Sequence, residues 1–495
     1  MIKSLLTFKL NKKKSPLQVI DTLVKFVEEQ TSQNKNITTI LEDISKNTNI
    51  PMKILQQKTN QILYKNYDLK FNKFKKKNLN YIFLDIIKYF LLTVINILGH
   101  LSFFFIKNNK KNYTLLCDNV FSQLDVDRFT NLIKSFNKIC LLGNFSKKNK
   151  VKKEDYFKFN KLFIGRSNTS LKEKFFFITL GFKVLYLSIK CRFNLFTIFL
   201  YLVYDIYKSS YIFSCISSKY FLTQKFYGTS PVFNFYFKKS GGKIAACTQK
   251  NILNLSLSAF VFTDVMFTLG KDQGKICNKL GGKIIKFTPV GSFFMEDAWF
   301  RKKRDLKNVP SSDILIIGVN TLGLNDHYIS NIYKNNYYNY YCNWLKKLAI
   351  DFKEKNIILK HHRDYVVDPE EAKILKDTNI KIFVENNSMN SSYGWAFKSK
   401  LVLSFSSTMI VEILGHGKEA YYIDPYFNGS QWFSDIKNLK KFRLRTYKSI
   451  NSIVKKKKKT KINKNLSQYY CVNSKNTSKM IAAFLKNKKN LELFN

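Results

Sequence analysis

The sequence contains little Pro and little Arg. Only seven of its 495 residues are Pro, and among its 84 basic residues only eight are Arg, the other 76 being Lys. Arg is the usual reader of base edges and phosphates, because its planar guanidinium makes bidentate contacts. Despite a formal net charge of +50, the scarcity of Arg argues against a specific nucleic-acid partner.

Metal-binding and disulfide patterns are also missing. The eight Cys form no CxxC pair and have no His nearby at metal-ligand spacing, so a structural zinc site is not expected. Most Cys lie inside apolar runs, which predicts buried, reduced thiols and a cytoplasmic setting. Residues 1–14 form a short, Lys-rich segment without the continuous apolar stretch or the cleavage site of a signal peptide, so we expect no secretory signal there.

What is present is a long, apolar and Lys-rich chain. Hydrophobic residues make up 45% of the sequence, and this length and composition predict a folded protein of two or three domains. Lys is enriched together with Asn, Ile, Phe and Tyr, as an AT-rich coding sequence would produce without selection for charge. The charge is still physical, and an anionic membrane surface is at least as good a partner as nucleic acid.

Two apolar stretches raise the question of membrane contact. Tyr89–Ile106 contains His100 as its only ionisable residue, whereas Phe175–Tyr207 contains four charged residues. A spanning helix needs about 20 largely uncharged residues, so the first stretch is borderline and the second is excluded. An interfacial helix, a true span and a buried core helix remain open. We favour peripheral or monotopic attachment at the cytoplasmic face of a membrane.

The pattern along the chain predicts four segments. Residues 1–78 have helical periodicity and form a predicted helical extension. Residues 79–310 and 311–447 each alternate short apolar runs with helical stretches, and residues 448–495 contain a basic loop and a final helix. The predicted strands are Thr114–Cys117, Ile139–Gly143, Leu162–Gly165, Lys243–Cys247, Val261–Leu269, Lys283–Phe287, Asp313–Val319, Ile357–Lys360, Ile380–Val384, Leu401–Phe405 and Ala420–Ile423. Such alternation indicates doubly wound parallel sheets. With the charged segment Arg301–Ser312 as a linker, the predicted fold class is α/β, with two Rossmann-like domains facing a cleft.

The strongest motif is SFSSTMIVEILGHGKEAYYIDP, Ser404–Pro425. A buried strand here ends in a hydroxyl cluster directly before a helix, where exposed N–H groups and short hydroxyls favour phosphate. Glu412 lies within that helix, and a carboxylate at such a position can accept hydrogen bonds from a ribose. Ordinary helix capping explains one hydroxyl and Glu412, but not four hydroxyls within five positions.

This pattern resembles the carboxyl-terminal domain of GT-B glycosyltransferases, especially those that build bacterial capsules and other surface carbohydrates. The glycerophosphotransferases of teichoic-acid synthesis have a similar Ser-Ser turn. The resemblance implies that Ser406, Ser407 and Thr408 hold the donor diphosphate and that Glu412 holds the ribose. It also implies the GT-B type of fold, no cofactor beyond the nucleotide-sugar substrate, and no bound metal.

A second motif, LKHHRD at Leu359–Asp364, follows a predicted strand. Similar enzymes have a Lys/Arg-x-His-Pro segment here, and this chain has His362 in place of the Pro. The resemblance implies that Lys360 and Arg363 face the donor phosphate. His361 could donate a proton to a phosphoryl oxygen or to the leaving group.

A third and weaker match surrounds Lys238–Asn251. Similar proteins often have Gln-His-Gly after a strand, and this sequence retains only Gln249. Gly291 and Ser292 follow the last predicted strand of the first series and would line the cleft. The acceptor needs a base, and Asp118, at the end of the first predicted strand, is the candidate.

The residues and the resemblance together predict transfer of a sugar from a nucleotide-activated donor to a surface-glycan or lipid-linked acceptor. One alternative is transfer of glycerol phosphate or another alditol phosphate by the same fold. Another is a non-enzymatic, Lys-rich protein that binds membrane or nucleic acid. That last alternative predicts basic residues gathered on one face with aromatics between them, whereas Lys is spread along the whole chain.

Overall fold

A computed structural model describes most of the chain. The described residues are 16–74, 79–103, 110–118, 129–143, 156–158, 169–190, 195–249, 258–271, 275–306, 309–318, 328–361, 369–384, 392–404, 407, 409–423, 442–456, 471–472 and 475–494. The predicted strand Leu162–Gly165 and the site residues Arg363, Ser406 and Thr408 lie outside them.

The first sheet of the described chain has seven parallel strands in the order β3-β2-β1-β4-β5-β6-β7. Its strands are β1 (Lys111–Asp118), β2 (Ile139–Gly143), β3 (Tyr156–Lys158), β4 (Ile216–Thr223), β5 (Ile244–Thr248), β6 (Phe262–Thr268) and β7 (Lys283–Pro289). Apolar side chains cover both faces of this sheet, as parallel sheets require. One buried cluster includes Leu115, Leu222 and Val265, and the other includes Leu116, Phe221 and Ala245.

The second sheet has six parallel strands in the order β10-β9-β8-β11-β12-β13. Its strands are β8 (Ser312–Ile317), β9 (Ile357–His361), β10 (Ile380–Val384), β11 (Ser399–Ser404), β12 (Ala420–Ile423) and β13 (Arg443–Leu444). In both sheets the strand order reverses beside the first strand, which is the Rossmann order. The predicted fold class, two Rossmann-like units with a helical extension, is confirmed.

Sixteen α-helices within the described residues surround the sheets. They are α1 (Pro16–Gln33), α2 (Lys35–Thr48), α3 (Met52–Phe74), α4 (Leu79–Phe103), α5 (Leu171–Lys190), α6 (Leu195–Cys215), α7 (Pro231–Lys239), α8 (Lys275–Lys279), α9 (Phe293–Asp305), α10 (Tyr328–Asp351), α11 (Pro369–Leu375), α12 (Ser392–Lys398), α13 (Met409–Gly415), α14 (Tyr447–Lys455), α15 (Thr477–Lys486) and α16 (Lys488–Glu492). None of these helices is long and apolar enough to cross a bilayer.

The N-terminal helices are docked on the first sheet through polar contacts. Gln61 of α3 donates from its side chain to the carbonyls of Thr229 (3.1 Å) and Phe260 (2.7 Å). The ammonium of Lys58 lies 2.8 Å from the carboxylate of Asp205 in α6, and both side chains are largely buried. Because the partners of these contacts are buried or largely buried, breaking a contact would leave a polar group with little water to replace its partner. The extension is therefore an integral layer of this unit.

One prediction at the secondary-structure level is wrong, and one strand was missed. Arg301–Ser312 is not a linker throughout, because α9 continues to Asp305. The helix forms because Ser292 caps it, accepting a 3.3 Å hydrogen bond from the amide of Met295. Strand β4 was not predicted at all, although it is central to the first sheet. The predicted burial of the thiols is confirmed for the described residues, where six of seven Cys are buried.

Candidate functional site

The carboxyl edge of the second sheet brings two of the sequence motifs together. Ile317 ends β8, and it pairs with Lys360 of β9 on one side and with Ser404 of β11 on the other. Neighbouring strands lie about 4.8 Å apart. The LKHHRD motif and the turn that follows Ser404, which we call the hydroxyl turn, therefore begin on either side of the end of β8. This is the point at which the strand order reverses, where open α/β sheets bind ligands.

His361 is the last residue of β9 and is held by a carboxylate. Its Nε2 lies 2.5 Å from Oε1 of Glu371 in α11, and both side chains are buried. The hydroxyl of Tyr341 donates to the other oxygen of Glu371 at 3.4 Å. A carboxylate on one ring nitrogen fixes the orientation and tautomer of an imidazole. In this structure the contact with Glu371 leaves Nδ1 facing Gly318, directly after β8. A methyl side chain at Gly318 would collide with the imidazole ring.

Lys360 is buried beside this histidine. Its ammonium donates a hydrogen bond to the carbonyl of His361 at 3.3 Å. Burial of a cation costs free energy unless it is paired with a dipole or an anion. A buried ammonium at the ligand-binding edge of the sheet adds positive charge where a phosphate group would be stabilised.

The hydroxyl turn has a capping role in this structure. The amide of Ser407 donates to Oγ of Ser404 at 2.7 Å, and the amide of Met409 donates to Oγ of Ser407 at 3.2 Å. The hydroxyl of Tyr422 donates to the carbonyl of Ser407. The hydroxyl oxygens of Ser404 and Ser407 therefore shape the turn by accepting from its backbone, and a hydroxyl oxygen that accepts in this way can still donate its own proton, as the Ser407 hydroxyl could to a ligand.

Glu412 is buried in α13 and has two hydroxyl donors. Tyr393 of α12 donates to Oε2 at 2.6 Å, and Ser292 of α9 donates to Oε1. Ser292 belongs to the segment that follows the first sheet, whereas Glu412 and Tyr393 belong to the second unit. The carboxylate predicted to accept ribose hydroxyls already accepts two protein hydroxyls, one from each unit.

The other predicted residues lie along the carboxyl edge of the first sheet. Asp118 ends β1 and pairs with Thr223 of β4, at the reversal point of that sheet. Gln249 follows β5, and its buried side-chain oxygen accepts from the amide of Leu269 at 3.1 Å. Gly291 has φ of +88°, a left-handed conformation that favours glycine.

The two units also meet around His416. Its ring centroid lies 5.7 Å from that of Trp299 in α9, and the ammonium of Lys475 lies 4.3 Å from the centroid of Trp299. Burial, and secondarily the charge of Lys475, lowers the pKa of His416 to about 4. A neutral imidazole therefore forms part of the contact between the units at physiological pH.

The chain end crosses between the units as well. The amide of Val472 donates to the carbonyl of Leu269 in the first unit at 2.8 Å. The neighbouring Cys471 packs so closely on Gly415 of α13 that a side chain at Gly415 would collide with its backbone. Helix α15 then returns to the first unit, where the hydroxyl of Thr477 donates to the carbonyl of Val290 at 2.9 Å.

Two residues of the site were not found by sequence analysis. Glu371 follows the LKHHRD motif by several residues, and Tyr393 lies in a short helix without a recognisable motif. The Glu371 carboxylate orients His361, and the Tyr393 hydroxyl orients Glu412. Within the described ranges, no three His, Cys, Asp or Glu side chains come together as metal ligands.

No protein-family model matches the sequence, and a search of curated proteins finds no match. Solved structures are similar to it over most of their length. The wall teichoic acid polymerase TagF is 11% identical, covers 85% of this chain and 99% of its own, and has a TM-score of 0.42. The UDP-GlcNAc 2-epimerase of Neisseria meningitidis bound to UDP-GlcNAc is 13% identical, with 76% and 100% covered and a TM-score of 0.39. The S. aureus MnaA–UDP complex is 10% identical, with 77% and 98% covered and a TM-score of 0.42.

At such identities and TM-scores, no activity is carried over from these proteins to this chain. The architecture is established by the strand orders themselves, which are those of two Rossmann units in one chain. That architecture is the one that the resemblance to GT-B enzymes predicted.

Proposed function

We propose that the protein is a glycosyltransferase that moves a sugar from a nucleotide-activated donor to a surface-glycan or lipid-linked acceptor. The observation that carries the proposal is the edge around Ile317. There Lys360 and His361 lie on one side and the Ser404 turn on the other. A cation, a histidine held by a carboxylate and a hydroxyl turn are the groups that a diphosphate leaving group needs.

In this proposal residues 311–447 bind the donor and residues 79–310 bind the acceptor. The donor diphosphate lies between the hydroxyl turn, Ser406 to Thr408, and the cations Lys360 and Arg363. The proton of the Ser407 hydroxyl remains available for a phosphate oxygen, because the oxygen itself accepts from Met409. No metal is required, since cations and hydroxyl donors carry out the charge stabilisation.

The donor ribose is assigned to Glu412. A ribose offers two adjacent hydroxyl donors, and Glu412 accepts two hydroxyls from Tyr393 and Ser292. Donor binding would replace the Ser292 hydroxyl, which comes from the other unit. Nucleotide binding and the contact between the units would then compete for one carboxylate oxygen.

Proton transfer is assigned to His361 and Asp118. With Glu371 at Nε2, the imidazole presents Nδ1 towards the end of β8. In the imidazolium form Nε2–H is donated to Glu371 and Nδ1 carries a second proton. Donation of the Nδ1 proton to the departing phosphate, where negative charge develops as the sugar leaves, returns the ring to its neutral form with the proton on Nε2. Asp118, at the equivalent end of β1, would accept the proton of the acceptor hydroxyl. Gln249, Gly291 and Ser292 would line the acceptor side.

The test is a screen of activated donors. Purified protein is incubated with nucleotide sugars and with nucleotide alditols, and release of the nucleoside phosphate is measured. We expect release of a nucleoside diphosphate from one nucleotide sugar, with about 10²-fold or greater loss in His361→Gln and no loss in the surface control Glu354→Gln. Release of a nucleoside monophosphate from a nucleotide alditol alone would replace the proposal with alditol-phosphate transfer. Turnover of no donor, or equal turnover by His361→Gln, would refute it.

A further inference from the structure

Helices α4 and α5 expose an unusually apolar surface, which we call the α4/α5 face. Its core is formed by Phe83 and Phe90 on α4, 63% and 66% exposed, and by Phe175, Phe182 and Tyr186 on α5, 61%, 68% and 62% exposed. Leu84, Ile87, Leu91 and Ile189 on the same helices are also exposed. Aromatic side chains that bury large areas elsewhere in the chain are turned to the outside here.

The two helices are packed against each other, so their exposed residues belong to one region of the molecule. The hydroxyl of Tyr89 in α4 donates to the carbonyl of Phe177 in α5. The ring of Tyr89 fills the space above Gly181, where any side chain would collide with it. This close approach fixes the rotation of each helix about its own axis.

Three polar residues of the same helices point inward. Asp85 of α4 is buried and accepts a hydrogen bond from the hydroxyl of Thr197 in α6. Ser188 of α5 is buried and accepts from the amide of Phe196 at 2.9 Å. Lys174 of α5 is buried as well, and burial lowers its pKa to about 8. These three polar groups lie inside while phenylalanines lie outside, which is not the pattern of a helix whose outer face is turned to water.

Lysines border the apolar stripe of α5. On the helical wheel Lys172, Lys183 and Lys190 follow one edge of the stripe, and all three are exposed. Lys183 is paired with Asp43 of α2 at 2.8 Å, and the ammonium of Lys190 lies 5.9 Å from the ring centroid of Tyr186. An apolar stripe bordered by Lys and an amphipathic Tyr is the pattern of helices that lie in a membrane interface.

We propose that the α4/α5 face docks on an anionic lipid bilayer, with its aromatic residues inserted among the acyl chains and its lysines against the headgroups. A second copy of the chain is the other occupant that an apolar face could take. Each copy carries a formal net charge of +50, and lysines border the face itself, so two copies repel each other. An anionic bilayer complements both the apolar residues and the charge.

The first test is co-sedimentation with vesicles. The full chain is mixed with vesicles of phosphatidylcholine alone or with 30% phosphatidylglycerol, at low and high salt. We expect binding to the anionic vesicles that weakens with salt. The variant Phe83→Gln/Phe90→Gln/Phe175→Gln/Phe182→Gln should bind at least about tenfold more weakly. The control Ile285→Gln/Phe300→Gln removes two apolar residues of equal exposure outside the face and should bind as the unaltered protein does.

Equal binding by the fourfold variant and the unaltered protein would overturn the proposal. So would an absence of vesicle binding together with a concentration-dependent dimer that the fourfold variant abolishes, since the face would then bind a second copy. Because the four side chains are exposed, the variant should keep its melting temperature, and this is measured alongside.

The second test measures the fluorescence of a tryptophan introduced on the α4/α5 face. In Phe90→Trp the new indole should move to shorter emission wavelength on adding anionic vesicles and should be quenched by lipids with brominated acyl chains. In the control Phe300→Trp the emission should not change. No spectral change in Phe90→Trp on vesicles that sediment the protein would show that another surface binds.

Discussion

The hydroxyl of Ser292 donates a hydrogen bond to the buried carboxylate of Glu412. The same hydroxyl oxygen accepts from the amide of Met295 and so caps α9. One serine therefore starts the helix that follows the first sheet and satisfies a carboxylate of the second unit. This contact ties the proposed ribose site to the contact between the two units.

Ser292→Ala should lower the stability of the protein without weakening nucleotide binding. Loss of a donor to a buried carboxylate is expected to lower the free energy of unfolding by about 1–3 kcal/mol, as measured by urea denaturation. If ribose replaces the Ser292 hydroxyl, the same variant should bind nucleotide as tightly as the unaltered protein, or more tightly. Weaker nucleotide binding in Ser292→Ala would mean that the contact supports the ligand instead of competing with it.

Glu371→Gln should change the role of His361 without removing the ring. The amide can no longer serve as a charged acceptor at Nε2, so the orientation and tautomer of the imidazole become less defined. We expect a roughly tenfold or greater fall in kcat, with a shifted pH profile and little change in KM. Tyr341→Phe, which removes only the hydroxyl that supports Glu371, should have a smaller effect in the same direction. An unchanged pH profile in Glu371→Gln would show that Glu371 is only structural.

Gly318→Ala should displace His361. A methyl group at this position collides with the imidazole, and relief of the overlap costs about 1–3 kcal/mol. We expect a lower melting temperature and a loss of turnover comparable to that of His361→Gln. Gly241→Ala is the matched control, because its surroundings are open although its φ of +96° makes alanine unfavourable there. It should lose stability without a specific loss of turnover.

His416 should make the contact between the units sensitive to acid. Burial, followed by the charge of Lys475, lowers its pKa in the folded protein to about 4, against about 6.5 in the unfolded chain. The unfolded state therefore binds more protons between these values, and stability is lost as the pH falls from about 6.5 to about 4. The loss from this residue is at most about 3.4 kcal/mol.

The measurement is urea denaturation at pH 7 and at pH 4.5. In His416→Phe, which keeps an aromatic ring against Trp299, the difference in unfolding free energy between the two pH values should be smaller than in the unaltered protein. Identical differences in the two proteins would contradict the assignment.

The sequence was sufficient for most strands because they are short, mostly apolar runs between more polar segments. The observed bounds Ile139–Gly143, Ile380–Val384 and Ala420–Ile423 match the prediction residue for residue. Strand β4 was missed because Ser217, Ser218 and Lys219 interrupt its apolar pattern and no turn residue separates it from α6. Because β4 was not predicted, the point at which the strand order of the first sheet reverses could not be located. That Asp118 lies at this point was therefore not predicted either.

The site was less predictable than the fold. The motif residues His361 and Ser404 could be recognised locally, and pairing of both strands with β8 brings them to one edge. The contact of Glu371 with His361 could not be recognised, and neither could the contacts of Tyr393 and Ser292 with Glu412, because they form through tertiary packing that no periodicity encodes. Ser292 was predicted only to line the cleft. The burial of Glu412 by hydroxyls from two units is a property of the assembled fold alone.

Equilibrium binding of nucleotides tests the central claim most directly. Calorimetric titration of the full chain with UDP, CDP and CMP should show that at least one binds, with a dissociation constant in the range of about 1 μM to 1 mM that is common for enzyme substrates. Glu412→Gln should weaken that binding about tenfold or more, corresponding to about 1.4 kcal/mol, whereas Glu354→Gln should not change it. If none of the three nucleotides binds, or if Glu412→Gln binds as tightly as the unaltered protein, the carboxyl edge of the second sheet is not the donor site.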